Sequence, residues 1–82
     1  MSEVAETVIE MIAEQLGIST NEVKTTHHLV EELQFDDLHT VELIMSLEEE
    51  FEIDIEDEKF GLITTVQGVI NFITDFINDL DS

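Results

Sequence analysis

The sequence predicts an all-α fold, a small bundle of three long helices and one short one. Three observations carry that reading. Val4, Val8, Ile12 and Leu16 recur every four residues. Asp36-Asp37 opens a second apolar pattern of helical period that runs to about Phe51. Val66, Val69, Ile70, Ile73, Phe76, Ile77 and Leu80 form a third such stripe.

The first helix has Ala5, Ile9 and Met11 flanking its stripe, a plausible hydroxyl start at Ser2, and acids Glu3 and Glu6 near its positive end. Gly17 is its expected stop, because glycine accepts the left-handed conformation there. Residues 18–35 hold no long period. Ile18, Val23, Leu29, Val30 and Leu33 read as pins fixing a long loop to the core, with Ser19 to Val23 fitting a short helical turn. A loop of this length in a small domain is often functional.

Asp36 is the expected N-cap of the second helix, with Asp37 in its first turn. That helix carries two stripes. Leu43, Ile44, Leu47 and Phe51 form the wider one; Leu38, Val41 and Met45 form another. A single buried face needs only one. Ile53 and Ile55 alternate with acids over too few residues to claim a strand. Asp57 to Gly61 fits a short helix, capped by Asp57 and stopped by Gly61. Thr64 or Thr65 caps the last helix.

Charge narrows the function classes. Two Lys+Arg against 21 Asp+Glu give a net charge of −19 over 82 residues, which make one domain. Binding a polyphosphate needs clustered cations, so nucleic acid is excluded as a partner. Anionic membrane surfaces are excluded by the same sign. The apolar content of 43% sets the chain apart from a disordered acidic tail. There is no cysteine, hence no disulfide and no thiol nucleophile. Residues 1–16 have neither a basic n-region nor a continuous apolar run, and no stretch approaches the ~20 apolar residues of a membrane span. The expectation is a cytoplasmic protein, or the mature form of an organellar one, kept monomeric by self-repulsion.

Chemical constellations are thin. A calcium loop started at Glu56 places Phe60 where an acid is required. His27 and His28 are neighbours and His39 lies on another element, so they read as solvated histidines and not as a zinc site. Looser binding of Mg²⁺ or Ca²⁺ by the carboxylates would stabilise the fold by screening. No nucleophile motif is present and no carboxylate pair stands out, so nothing marks an enzyme. What remains is interaction. Leu38, Val41 and Met45 are either covered by the long loop or exposed as an acid-edged recognition face for basic partners.

At this point the chain resembles the acyl carrier proteins of fatty-acid and polyketide synthesis. The resemblance rests on Glu14-Gln15-Leu16-Gly17, Leu29-Val30-Glu31-Glu32-Leu33 and Leu38-His39-Thr40-Val41-Glu42-Leu43. It continues through Leu47-Glu48-Glu49-Glu50-Phe51 and Ile63-Thr64-Thr65-Val66-Gln67. It implies a four-helix bundle of three long helices and one short, a carrier and not an enzyme. Such carriers hold acyl chains as thioesters on a 4'-phosphopantetheine arm, attached to the serine of Gly-x-Asp-Ser-Leu. Here that motif reads Gln34-Phe35-Asp36-Asp37-Leu38, with Asp37 in place of the serine and Gln34 in place of the glycine. The proline usual after the second helix is also missing, where Ile55-Glu56 stands.

A serine hydroxyl forms a stable phosphodiester with the arm, whereas a carboxylate would give an acyl phosphate prone to hydrolysis. The resemblance therefore implies no cofactor in this form. Thr40 and Ser46 do not occupy the motif position. Asp37 is read three ways: an engineered block, a natural divergence toward partner binding alone, or a stabilising first-turn acid. Gln34 and Phe35 favour divergence, since a block needs only the serine change.

Carried over by residue, the partner surface for basic synthase enzymes falls on Asp36, Leu38, Val41, Glu42, Met45, Glu48 and Glu49, with Asp57 as an addition. The acyl pocket falls on Leu43, Ile44, Leu47, Phe51, Ile63, Ile70 and Ile73, mostly collapsed without an arm. The alternative to a carrier homologue is a regulatory or scaffold module using the same acidic helix with no acyl cargo.

Overall fold

A computed structural model describes the backbone of residues 3–81 and the side chains of residues 3–78. Ser2 and the side chain of Leu80 lie outside the described residues. Four α-helices follow in order: α1 (Glu3–Leu16), α2 (Asp37–Phe51), α3 (Asp57–Phe60) and α4 (Val66–Asp81). Among the described residues there is no β-strand, only an isolated bridge between His28 and Thr65.

α1 buries Val8, Ile12 and Ala13 and packs against both α2 and α4. It ends where Gly17 takes a φ of 69°. The Ile18 N–H then donates to Ala13 O and the Gly17 N–H to Glu14 O, which satisfies two carbonyls the helix end would leave unpaired. Ser19 and Glu22 form a reciprocal capping box around a single 3₁₀ turn, Thr20–Glu22.

The long connection from Ile18 to Asp36 is held by its backbone as well as by its apolar residues. Thr25 O and His27 O accept from the N–H groups of Gln67 and Val66, and the Leu29 N–H donates to Thr64 O at 2.8 Å. These bonds tie the loop to the start of α4. Val23, Leu29 and Phe35 are buried, while Ile18 and Leu33 are partly buried against the same core. Val30 is exposed, so it is not one of the pins.

α2 starts at the expected cap. Asp36 Oδ1 accepts the His39 N–H at 2.9 Å, and the Asp36 N–H points at His39 Nδ1, 3.4 Å away. Past its end, Glu52 adopts a left-handed conformation, and Glu48 Oε2 accepts the Ile55 N–H at 2.9 Å. That bond holds the turn so that Ile53 and Ile55 both face the core.

The short helix corrects the sequence reading by one residue. Asp57 lies inside α3 and the cap position is Glu56, which makes no side-chain capping bond. Gly61 follows α3 in a right-handed conformation, so it ends the helix without using glycine's freedom. Thr65, and not Thr64, caps α4: its Oγ1 accepts the Gly68 N–H at 3.0 Å.

The core is one cluster. Val8, Ile12, Leu43, Leu47, Val66, Val69 and Ile73 have no accessible surface. Phe51, Ile63, Phe76 and Ile77 pack against it while partly exposed.

Candidate functional site on the outer face of the second helix

The two stripes of α2 point in different directions. Leu43, Ile44 and Leu47 are buried between the helices. Leu38, Val41 and Met45 stand in solvent, 64%, 51% and 59% exposed. The long loop does not cover them, so the reading in which they are buried beneath it does not hold. Together they give the helix a second apolar face, turned to solvent.

Acids edge the stripe. Asp36, Glu42, Glu49 and Asp57 are exposed. Helix α2 contains no Lys or Arg. Glu42 is anchored from behind by a hydrogen bond from Gln15 Nε2 of α1, which fixes one carboxylate against the groove between α1 and α2. Glu48 differs from its neighbours. It is partly buried and its carboxylate is already used by the Ile55 N–H, so it builds the end of the helix more than the open face.

At the head of the face, Asp37 is the first residue of α2 and is exposed. The Asp36 carboxyl is held below the ordinary carboxylate range, chiefly by the hydrogen bond from the His39 backbone N–H. The imidazole of His39, with Nδ1 3.2 Å from Asp36 Oδ1, favours the same charge. Of the nearby hydroxyls, Thr40 Oγ1 donates to Asp36 O at 3.0 Å, and Ser46 lines the groove toward α1.

The turn before α2 carries a feature that periodicity does not reveal. Gln34 has a φ of 59°, the left-handed region where a residue with a Cβ is strained. Its signal in the sequence is its place where the resembled motif has glycine. Phe35 then turns inward and is buried, its ring 5.4 Å from that of His39.

Of the residues assigned to an acyl pocket, Leu43, Ile44, Leu47, Ile70 and Ile73 are buried together, and Phe51 and Ile63 lie partly buried at the margin of the same cluster. Phe60, absent from that assignment, is buried among them from α3. Among the described residues no group of three His, Asp or Glu side chains is arranged to hold a metal ion, and no helix is long and apolar enough to cross a membrane.

The family model for the phosphopantetheine attachment site matches residues 6–73. The chain belongs to that family. Its backbone also superposes, with a TM-score of 0.81, on a Mycobacterium tuberculosis protein assigned as an acyl carrier protein. The two are 29% identical over 89% of this chain and 97% of the other. Within the family this is therefore a carrier of the acyl-carrier-protein kind and not an enzyme. Proteins of this kind work by meeting synthase enzymes.

Proposed function

We propose that this carrier domain serves fatty-acid or polyketide synthesis in the cytoplasm by presenting the acid-edged face of α2 to basic surfaces of synthase enzymes. We further propose that Asp37 stands where the arm would be attached, so that the chain as written remains without one. The observation that carries the docking reading is the exposure of Leu38, Val41 and Met45 between acids. Apolar area supplies contact energy, and the surrounding carboxylates steer a basic partner and select against acidic ones.

The residues present do not fit the arm. Asp37 offers a carboxylate, and an ester of phosphate with a carboxylate is a hydrolysable mixed anhydride. The Thr40 hydroxyl is engaged with the backbone one turn away. Ser46 is farther along the helix and turned to the α1 groove.

Mass spectrometry after incubation with coenzyme A and a phosphopantetheinyl transferase tests the second half of the proposal. The unaltered chain is expected to gain no mass, and Asp37→Ser to gain one arm. An arm on the unaltered chain would refute the reading of Asp37. No arm on either would favour a scaffold that keeps the acidic face and has no cargo.

A further inference from the structure

We propose that the docking face continues past Met45 into the groove between α1 and α2, and that this groove receives an arginine- or lysine-bearing segment of the partner, with Glu14 of α1 as one of its ion-pairing groups. The proposal rests on the docking reading above and adds a second helix to it.

Both helices build the groove. Met11 and Glu14 line it from α1, and Glu42, Met45, Glu49 and Glu50 from α2. Met45 belongs to both surfaces: it ends the exposed stripe of α2 and lines the groove. Folding does not account for the acids. Glu14 lies in the last turn of α1, Glu49 and Glu50 in the last turn of α2, and neither turn holds a basic residue. Acids in that position oppose the negative end of the helix dipole. Their mutual repulsion adds to the cost. The chain's own lysines do not offset it: Lys59 pairs with Glu56, and Lys24 does not line the groove.

Three features select the occupant. Among the described residues no three carboxylates converge as metal ligands do, so those of the groove suit separated cations better than a single ion. The groove encloses about 690 Å³, within the ~300–1,000 Å³ of small-ligand pockets, but such pockets are mostly apolar and six of its eight lining residues are polar. Arginine and lysine match this lining. Their aliphatic stems can lie along the thioether side chains of Met11 and Met45 while their charged heads reach the carboxylates. Glu42 is held in advance by the hydrogen bond from Gln15 Nε2, so one acceptor needs no ordering when a cation arrives.

The chain has three methionines, and two of them report on the groove. The full chain, isotope-labelled at the methionine methyls, is mixed with a helical peptide carrying leucines along one face and arginines along both edges of it. Nuclear Overhauser contacts from the peptide are expected at the methyls of both Met45 and Met11. Glu14→Gln should weaken binding by roughly threefold, the scale of one exposed ion pair. Glu6→Gln removes the same charge from an exposed position of α1 outside the groove and should leave binding unchanged. Contacts at Met45 without Met11 would overturn the groove proposal and leave the α2 face standing. Equal effects of the two glutamine variants would assign the binding to bulk charge and overturn the proposal as well. Contacts at neither methyl would refute the docking reading and this one together.

Discussion

Helices α2 and α4 are nearly equal in length, 15 and 16 residues, and use their apolar residues in opposite ways. α4 spends its stripe inward: Val66, Val69, Ile70 and Ile73 are buried, with Phe76 and Ile77 partly so. α2 buries Leu43, Ile44 and Leu47 and leaves Leu38, Val41 and Met45 in solvent. Stability explains the first pattern completely. It does not explain the second, because each exposed apolar side chain forgoes the transfer free energy that burial would give. The surplus on α2 is what the docking face proposed above would use.

The sharpest way to break this comparison is to cut both helices. Ile73→Ala should cost ~2–5 kcal/mol by losing burial and leaving a cavity. Leu38→Gln should change stability by less than ~0.5 kcal/mol, as expected away from the core. Paired urea unfolding curves check both, and similar losses would mean that the outer stripe of α2 is structural.

Charge reversal sharpens it next. Glu42→Lys with Glu49→Lys should weaken capture of a basic synthase enzyme by about tenfold at low salt, with the difference shrinking as salt rises. Glu48 is left out because its bond to the Ile55 N–H makes it a stability position. Unchanged titration calorimetry would remove the docking role of the face.

A smaller effect belongs to the cap. Asp36→Ala should lower Tm by a few degrees, whereas Asp36→Asn should nearly keep it, since either side chain can accept the His39 N–H. The acid limb separates the two. The folded carboxyl is held low, so its contribution is present above its unfolded value of ~3.9 and is lost as pH falls through the lower folded value. Below about pH 4, Asp36→Asn should therefore lose less stability than the unaltered chain in a pH series of melting curves. The smallest expected change is a gain. Gln34→Gly should stabilise by ~0.5–1 kcal/mol by relieving a left-handed residue that has a Cβ, measured in the same urea assay.

Much of this molecule is legible in the order of its residues because it is local. The stripes of α1 and α4, the stop at Gly17 and the cap at Asp36 each depend on neighbours within one or two turns. What escaped depends on distant partners or on direction. Phe35 sits in aperiodic sequence, and only the packed loop makes it core, whereas Val23 and Leu29 in the same loop are buried as their apolar character predicts. Phe60 is one residue of a four-residue helix, too short to show a period. Glu48 reads as one acid among several, but the amide that claims it lies seven residues on, past the helix end. The exposed stripe was visible as a surplus, whereas its direction needed the packed helices. The shift of the α3 cap from Asp57 to Glu56 is the ordinary ambiguity of a helix start.

The backbone bonds between the long loop and the start of α4 have a mechanical consequence. The amides of Leu29, Val66 and Gln67 are all closed by partners across that junction. Fraying of the first turn of α4 would unzip the same seam that holds the loop, and Leu29 O in turn anchors Phe35 beside the head of α2. The entrance of the acid-edged helix is thus latched by a segment far along the chain, and these amides should exchange with solvent as one cooperative unit.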